Sequence, residues 1–285
     1  MRKFLSYIHK LKFFKRLIPS VLRRIPFNQS INVKIDDFII NLNLQSSNDR
    51  YIYLNGFYGK KQINFVEKQI NLNNFDYFLD IGSNIGFYSL FFASKYKNLN
   101  IMAFEPITEN ADQIEKSIKL NNYDKINVFK YALSNKKNVK QMWVTDLMKK
   151  SGFSVYEDSD YKNEIKINNY NTEKIHKRKI NSQIFDDQFK IENKNIFIKV
   201  DVERHEFQCL SGMSDLLTHS NNKIFLQVEI IDKYKSKVLN LLEKMNFHLI
   251  HVVNTDVKNI SYGSDYYLSN FKKNLTNLFL FKIYF

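Results

Sequence analysis

One cysteine, three prolines and seven glycines are spread over 285 residues. The lone thiol, Cys209, excludes a disulfide framework and a cysteine-rich zinc site, and it fits a reducing compartment. No apolar run is long enough to span a bilayer. The opening MRKFLSYIHKLKFFKRLIPSVLRRIP does not read as a signal peptide. Lys10, Lys12, Lys15 and Arg16 interrupt any apolar region, and no small-residue cleavage site follows. The expected location is therefore cytoplasmic, with room for peripheral attachment at the inner face of the membrane. Acids are missing from residues 1–30, which carry +8 of the net +14 and leave +6 for the rest. The body of the chain is thus only mildly basic. Its richness in Lys, Asn, Ile, Phe and Tyr accounts for the high pI about as well as nucleic-acid binding does.

Residues 1–30 read as a basic amphipathic extension. Phe4, Ile8, Leu11, Phe14 and Ile18 recur at helical spacing with bases mostly between them. Pro19 and Pro26 are expected to end this helix and begin a linker. Two surfaces suit it: an anionic membrane met by residues 1–28, or the domain itself with the bases left in water. Residues 31–74 read as a hairpin around Asp36–Asp37 and a helix over GKKQINFVEKQINLNN, a candidate cap on the substrate side.

From residue 75 to 285 the pattern alternates between strand and helix. YFLDIG, NIMAFEP, NIFIKVDVE and KIFLQVEII are strand-like. GFYSLFFASKY, TENADQIEKSIKLNN (with Thr108 as N-cap), EFQCLSGMSDLL and KYKSKVLNLLEKMN are helix-like. FHLIHVV and a closing LFLFKIYF lack a helix between them and are expected to pair antiparallel. The fold class is α/β: a doubly wound, mostly parallel Rossmann-like sheet behind a basic N-terminal helical extension. A polar stretch from Thr145 to Lys190 breaks the rhythm and reads as an insertion.

Three constellations carry chemistry. FLDIGSNIGFYS places Asp80, Gly82, Asn84 and Gly86 as D-x-G-x-N-x-G at the end of the first sheet strand. In open α/β sheets this is where ligands bind. The turn does not match the dinucleotide pattern G-x-G-x-x-G. An acid here repels a pyrophosphate and suits a cationic centre with an ammonium group, as in S-adenosylmethionine. Glu105, at the next strand end, can accept from both ribose hydroxyls of a nucleotide cofactor; alone it is equally a solvated acid. KVDVERHEFQCLSG gathers Asp201, Glu203, His205 and Glu206 at a third strand end, expected beside the first. Methyl transfer to a hydroxyl needs an in-line nucleophile and gains from a base. His205 is the candidate base, oriented by Glu206, with Asp201 positioning the acceptor. The bland alternatives are a capping histidine and a first-turn acid. No metal is assigned, because Asp201, Glu203 and His205 would have to converge beyond the strand's regular part.

At these residues the chain resembles the FkbM-type family of S-adenosylmethionine-dependent methyltransferases, over roughly residues 56–229. The matching blocks are FLDIGSNIGFYSL, AFEPITENADQIEKSIKLNN, YALSN, SGFSV, INSQIFDD and IKVDVERHEFQCLSGM. The resemblance implies a seven-stranded sheet with its last strand antiparallel. It implies S-adenosylmethionine held by Asp80, Gly82, Asn84, Gly86, Glu105 and Asp201, with Ala132–Ser134 near the adenine. Gly152–Ser154 and Asp186 lie in family blocks without assigned roles. The resemblance also implies O-methylation of a glycan or another hydroxyl-bearing acceptor. One position departs from it: the family has D-V-E-G-H-E, and here Arg204 stands for the glycine. If that site needs positive φ, arginine strains it. Competing functions are a nucleic-acid methyltransferase, a dehydrogenase and a non-catalytic membrane-surface protein. Against nucleic acid stand the N-terminal location of half the charge and the lack of an N-P-P-Y motif; against a dehydrogenase stands the turn.

Overall fold

A computed structural model of the chain describes residues 2–11, 14–24, 30–145, 154–156, 175–254 and 263–271. It opens with α1 (Arg2–His9) and α2 (Phe14–Arg24). A hairpin follows, β1 (Ile31–Ile35) and β2 (Phe38–Leu42), turning at Asp36–Asp37. Next come α3 (Ser47–Asn55) and α4 (Lys60–Gln69). Pro19 lies inside α2 and does not end it, correcting the sequence expectation. Ile18 and Leu22 are buried on either side of it, and that packing offsets the lost backbone hydrogen bond. Helix α3 was not anticipated, although its ends are marked. Ser46 accepts from the Asp49 amide, and Gly56, at φ +74°, donates to the Ile52 carbonyl.

The alternating region supplies β3 (Tyr77–Ile81), α5 (Phe87–Lys95), β4 (Asn100–Phe104), α6 (Thr108–Asn121) and β5 (Ile126–Phe129). Then follow β6 (Ala132–Leu133), β7 (Asn138–Thr145), β8 (Ser154–Tyr156), β9 (Ile175–Gln183) and α7 (Phe185–Gln188). The last part holds β10 (Asn195–Val200), α8 (Glu206–Ser211), α9 (Ser214–Thr218), β11 (Lys223–Ile230), α10 (Lys235–Lys244), β12 (His248–Asn254) and β13 (Ser264–Ser269).

The main sheet has the order β12-β13-β11-β10-β3-β4-β5 among the described residues. β5, β4, β3, β10 and β11 pair in parallel, and β13 runs antiparallel between β11 and β12. The fold class is thus a seven-stranded, mostly parallel α/β sheet, with β10 beside β3 as expected. The antiparallel strand is Ser264–Ser269, whereas the expected LFLFKIYF segment lies outside the described residues. The insertion from 145 to 190 includes strands. β9 pairs with β7 and β6, and β8 with β7, in a second sheet.

Strand alternation divides the core into two layers. Phe78, Phe197 and Phe225 face α5, the hairpin and the N-terminal helices. Leu79, Ile81, Ile196, Ile198 and Val200 face α8, α9 and α10. Phe78 stacks on Phe197 at 4.7 Å between ring centroids and meets Phe92 of α5 edge-on at 5.1 Å. The expected helix EFQCLSGMSDLL breaks at Gly212, where a Cβ would come within 2.1 Å of the Ser134 carbonyl oxygen. Helix α6 starts at Thr108, not after it, so Thr108 is no N-cap.

Asp186 has a structural task here. Its carboxylate accepts from the backbone amides of Asp215 (2.9 Å) and Leu216 (3.2 Å) at the start of α9. Asp186→Ala is expected to cost about 1 kcal/mol of stability, the usual loss of a helix cap. A urea midpoint unchanged from the native protein would contradict that role.

Candidate active site

The carboxyl ends of β3, β4 and β10 bring the sequence-selected acids to one end of the sheet, and β11 adds Glu229. Parallel pairing sets Asp80 beside Ala103 on one side and beside Lys199 on the other. The turn after β3 is dictated by close backbone approach. Gly82 has φ +77°, and a Cβ there would come within 1.9 Å of the Asp201 carbonyl oxygen. Asn84 also takes positive φ, at 51°. Gly86, at φ +75°, starts α5, and a Cβ there would press on Ile114 of α6 at 3.0 Å. The turn therefore fits between β10 and α6 with no room for larger residues at its glycines.

Asp80 is buried. Its Oδ2 accepts from the Ser89 hydroxyl at 2.7 Å, while Oδ1 is buried with no hydrogen-bond partner among the described residues. Burial raises its pKa, opposed by the Lys199 charge and the Ser89 bond. An orphaned carboxylate oxygen at a strand end is an acceptor awaiting a donor. Glu105 is buried too. It accepts from the amides of Asn84 and Ile107, each at 2.9 Å, and so ties the β3 turn to the start of α6. Burial pushes its pKa up to about 7 despite those bonds. Both acids and both turn glycines fit a cationic nucleoside cofactor: a free acceptor, a second carboxylate at the next strand end, and backbone thin enough for close approach.

The third cluster divides. Asp201 accepts from Lys199 Nζ at 2.9 Å, and its side chain keeps 27% of its surface exposed. Burial raises its pKa, but Lys199 outweighs this and keeps it below the ordinary carboxylate range. Glu229, at the end of β11, donates a hydrogen bond to Asp201; the Asp201 charge first, then burial, drive its pKa well up. Lys199 itself is buried in mid-sheet. Burial lowers its pKa, and the charges of Asp201 and Asp80 reverse that and hold it protonated. Asp265 of β13 lies opposite Glu229 and is fixed by Gln227 (2.8 Å) and by Gln62 of α4 (3.0 Å).

His205 and Glu206 each have another partner. Glu206 Oε1 accepts from the Arg204 amide at 2.9 Å. His205 is only 3% exposed, and its Nε2 lies 3.0 Å from the Ser134 hydroxyl, which places the ring against the end of β6. Burial, with Lys140 adding to it, lowers the imidazole pKa to about 3. Ala132 is buried and pairs with Ser182, so the YALSN block borders the second sheet. Sequence reasoning passed over Lys199, Glu229 and Asp265. The readable trace was a lysine inside the apolar strand NIFIKV and an acid near the end of KIFLQVEI. Gly152 and Phe153 lie outside the described residues, and Ser154 begins β8.

Arg204 answers the question its sequence raised. Glu203 (φ 51°) and Arg204 (φ 78°) take left-handed conformations in succession. The position occupied by glycine in the family motif does need positive φ, and arginine is strained there. Arg204→Gly is expected to raise stability by about 1 kcal/mol, the relief of a left-handed non-glycine residue less the entropy glycine adds to the unfolded chain. A lower melting midpoint would show that contacts of the arginine outweigh the strain.

The family model described as Methyltransferase FkbM domain matches residues 80–249. No curated protein matches the sequence. Methyltransferase FkbM from Methylobacillus flagellatus KT is 13% identical with a TM-score of 0.47, over 76% of this chain and 52% of that one. The chain thus spans about half the length of that protein. Precorrin-6y C5,15-methyltransferase from Geobacter metallireducens GS-15 is 12% identical (TM-score 0.42; 76% of this chain, 90% of that). M. jannaschii TYW2, in complex with AdoMet, is 10% identical (TM-score 0.45; 86% of this chain, 87% of that). The family match covers more than half of the chain and takes in the Asp80 turn, Glu105 and the strand-end acids; the chain belongs to the FkbM methyltransferase family, whose cofactor is S-adenosylmethionine.

Proposed function

We propose that the chain is an S-adenosylmethionine-dependent O-methyltransferase whose acceptor is a sugar hydroxyl, in a glycolipid, a surface polysaccharide or a related glycan. The observation that carries methyl transfer is the partnerless buried oxygen of Asp80 amid the strand-end acids, a setting that favours a cation. The glycan class is supported by the family resemblance.

When bound, the cofactor supplies an electrophilic methyl group on a sulfonium centre. In this reading Asp80 and the turn through Gly82, Asn84 and Gly86 hold its methionine end. Glu105 holds the ribose hydroxyls, and Ala132–Ser134 border the adenine. Asp201, kept ionised by Lys199, orients the acceptor hydroxyl. Glu229 is half-buried and bonded to Asp201, whose charge, with burial, drives its pKa well up; its ionised form, favoured when a cation is held beside it, is the better-placed proton acceptor. His205, the base suggested by the sequence, serves in this account to lock α8 against Ser134, and Glu206 to hold the Arg204 turn.

Asp80→Ala and Glu105→Ala are each expected to weaken S-adenosylmethionine binding about ten-fold, the order of one lost charge-assisted hydrogen bond. Unchanged affinity in both would refute the cofactor site. A ribose hydroxyl donates to the Glu105 carboxylate, and burial raises that group's pKa from 4.5 to about 7. The contribution is therefore full above that pH and is lost as pH falls through it. Calorimetry should show affinity declining below neutrality, with a shallower decline in Glu105→Gln.

Function itself is tested by transfer of labelled methyl from S-adenosylmethionine to extracted cell glycolipids, polysaccharides and RNA. Label is expected in a glycan fraction, and Glu229→Gln should abolish it while leaving cofactor affinity intact. Label in RNA alone would replace the acceptor. Retained transfer in Glu229→Gln with loss in His205→Ala would return the proton to the imidazole.

A further inference from the structure

The N-terminal helices use one face on the domain and still show apolar side chains on another. Leu5, Ile8, Phe14, Ile18 and Leu22 pack against the core layer that holds α5 and the hairpin. Arg2 Nε donates to the Tyr53 carbonyl at 3.0 Å, which ties α1 to α3. This is enough to seat the two helices. Yet Tyr7 is 71% exposed, Leu11 49%, Leu17 46% and Val21 50%. Tyr7 and Leu11 are four residues apart, as are Leu17 and Val21, so each pair shares a helical or near-helical stripe. These four account for half of the large exposed hydrophobics among the described residues.

The surroundings identify a partner by charge. Lys10, Lys15 and Arg16 are exposed beside these stripes. The first 30 residues hold eight bases and no acid. Apolar helical stripes in a segment that carries bases and no acid fit the boundary of an anionic bilayer, where the chains enter the acyl edge and the bases meet headgroup phosphates. A polyanion such as RNA would use the bases and leave the apolar stripes in water. None of the described helices is long and apolar enough to cross a membrane, so the contact is peripheral.

We infer that α1 and α2 form a docking surface for an anionic lipid bilayer, with Tyr7, Leu11, Leu17 and Val21 as the inserting residues and the N-terminal bases as headgroup contacts. Packing of the helices on the domain and binding to lipid are then not alternatives: one face does each. The surface shares no residue with the strand-end acids, so its occupancy does not depend on the methyl-transfer reading.

The test is co-sedimentation of the full chain with vesicles of phosphatidylcholine alone and of phosphatidylcholine with phosphatidylglycerol. Binding is expected only to the anionic vesicles. The double variant Leu17→Glu, Val21→Glu should lose at least about ten-fold of that binding, since both inserting chains become charged. Both positions are exposed, so its thermal melting midpoint and S-adenosylmethionine affinity should match the native protein. A milder pair, Leu17→Ser and Val21→Ser, should lose binding partially and guards against a folding defect in the first. Failure of the native chain to sediment with anionic vesicles would overturn the inference. So would undiminished binding by the double variant, which would leave only charge adhesion.

Discussion

The site is organised around an ammonium that the sheet has buried. Lys199 sits on β10, among the apolar residues Ile196, Phe197, Ile198 and Val200, with Asp80 beside it on β3 and Asp201 two residues further along. Removing a lysine from water is costly, and here two carboxylates outweigh that cost. The consequence spreads outward. Asp201 stays ionised at 2.9 Å from the lysine, and Glu229 retains the proton between the two carboxyls. Without the lysine, the strand ends would hold like charges that could not all ionise together.

Backbone shape sustains the same arrangement. The β3 turn passes so near the Asp201 carbonyl that only glycine fits at residue 82, and Glu105 fastens the Asn84 amide from the far side. After β10 the chain reverses through two left-handed residues, Glu203 and Arg204, and Glu206 receives the Arg204 amide. Strain of this sort persists where surrounding contacts over-determine it, which is common next to binding sites. The residue after the reversal, His205, meets the Ser134 hydroxyl.

Much of this was legible in the sequence, for identifiable reasons. The apolar strands follow from alternation, β10 beside β3 was expected, and Asp80, Glu105 and Asp201 stand at strand ends because polar residues interrupt apolar runs there. The failures also have causes. Lys199 is embedded in a run that reads as core, so its charge was overlooked. SDYYLS is short and tyrosine-rich, and the more apolar LFLFKIYF took its place in the reading; Asp265 went unseen with it. Pro19 marked a helix end by local rules, but burial of Ile18 and Leu22 carried the helix through. The pairing of His205 with Ser134 joins residues 71 apart in the chain, and no local pattern encodes it.

What unites these parts is charge: acids that a pyrophosphate would avoid and a sulfonium with an ammonium group would seek. Titration calorimetry of the full chain with S-adenosylmethionine and, separately, with NAD tests this most directly. Saturable binding of S-adenosylmethionine with no detectable heat from NAD is the predicted result. Binding of NAD in preference to S-adenosylmethionine would contradict the assignment of the acid-rich strand ends to a cationic cofactor.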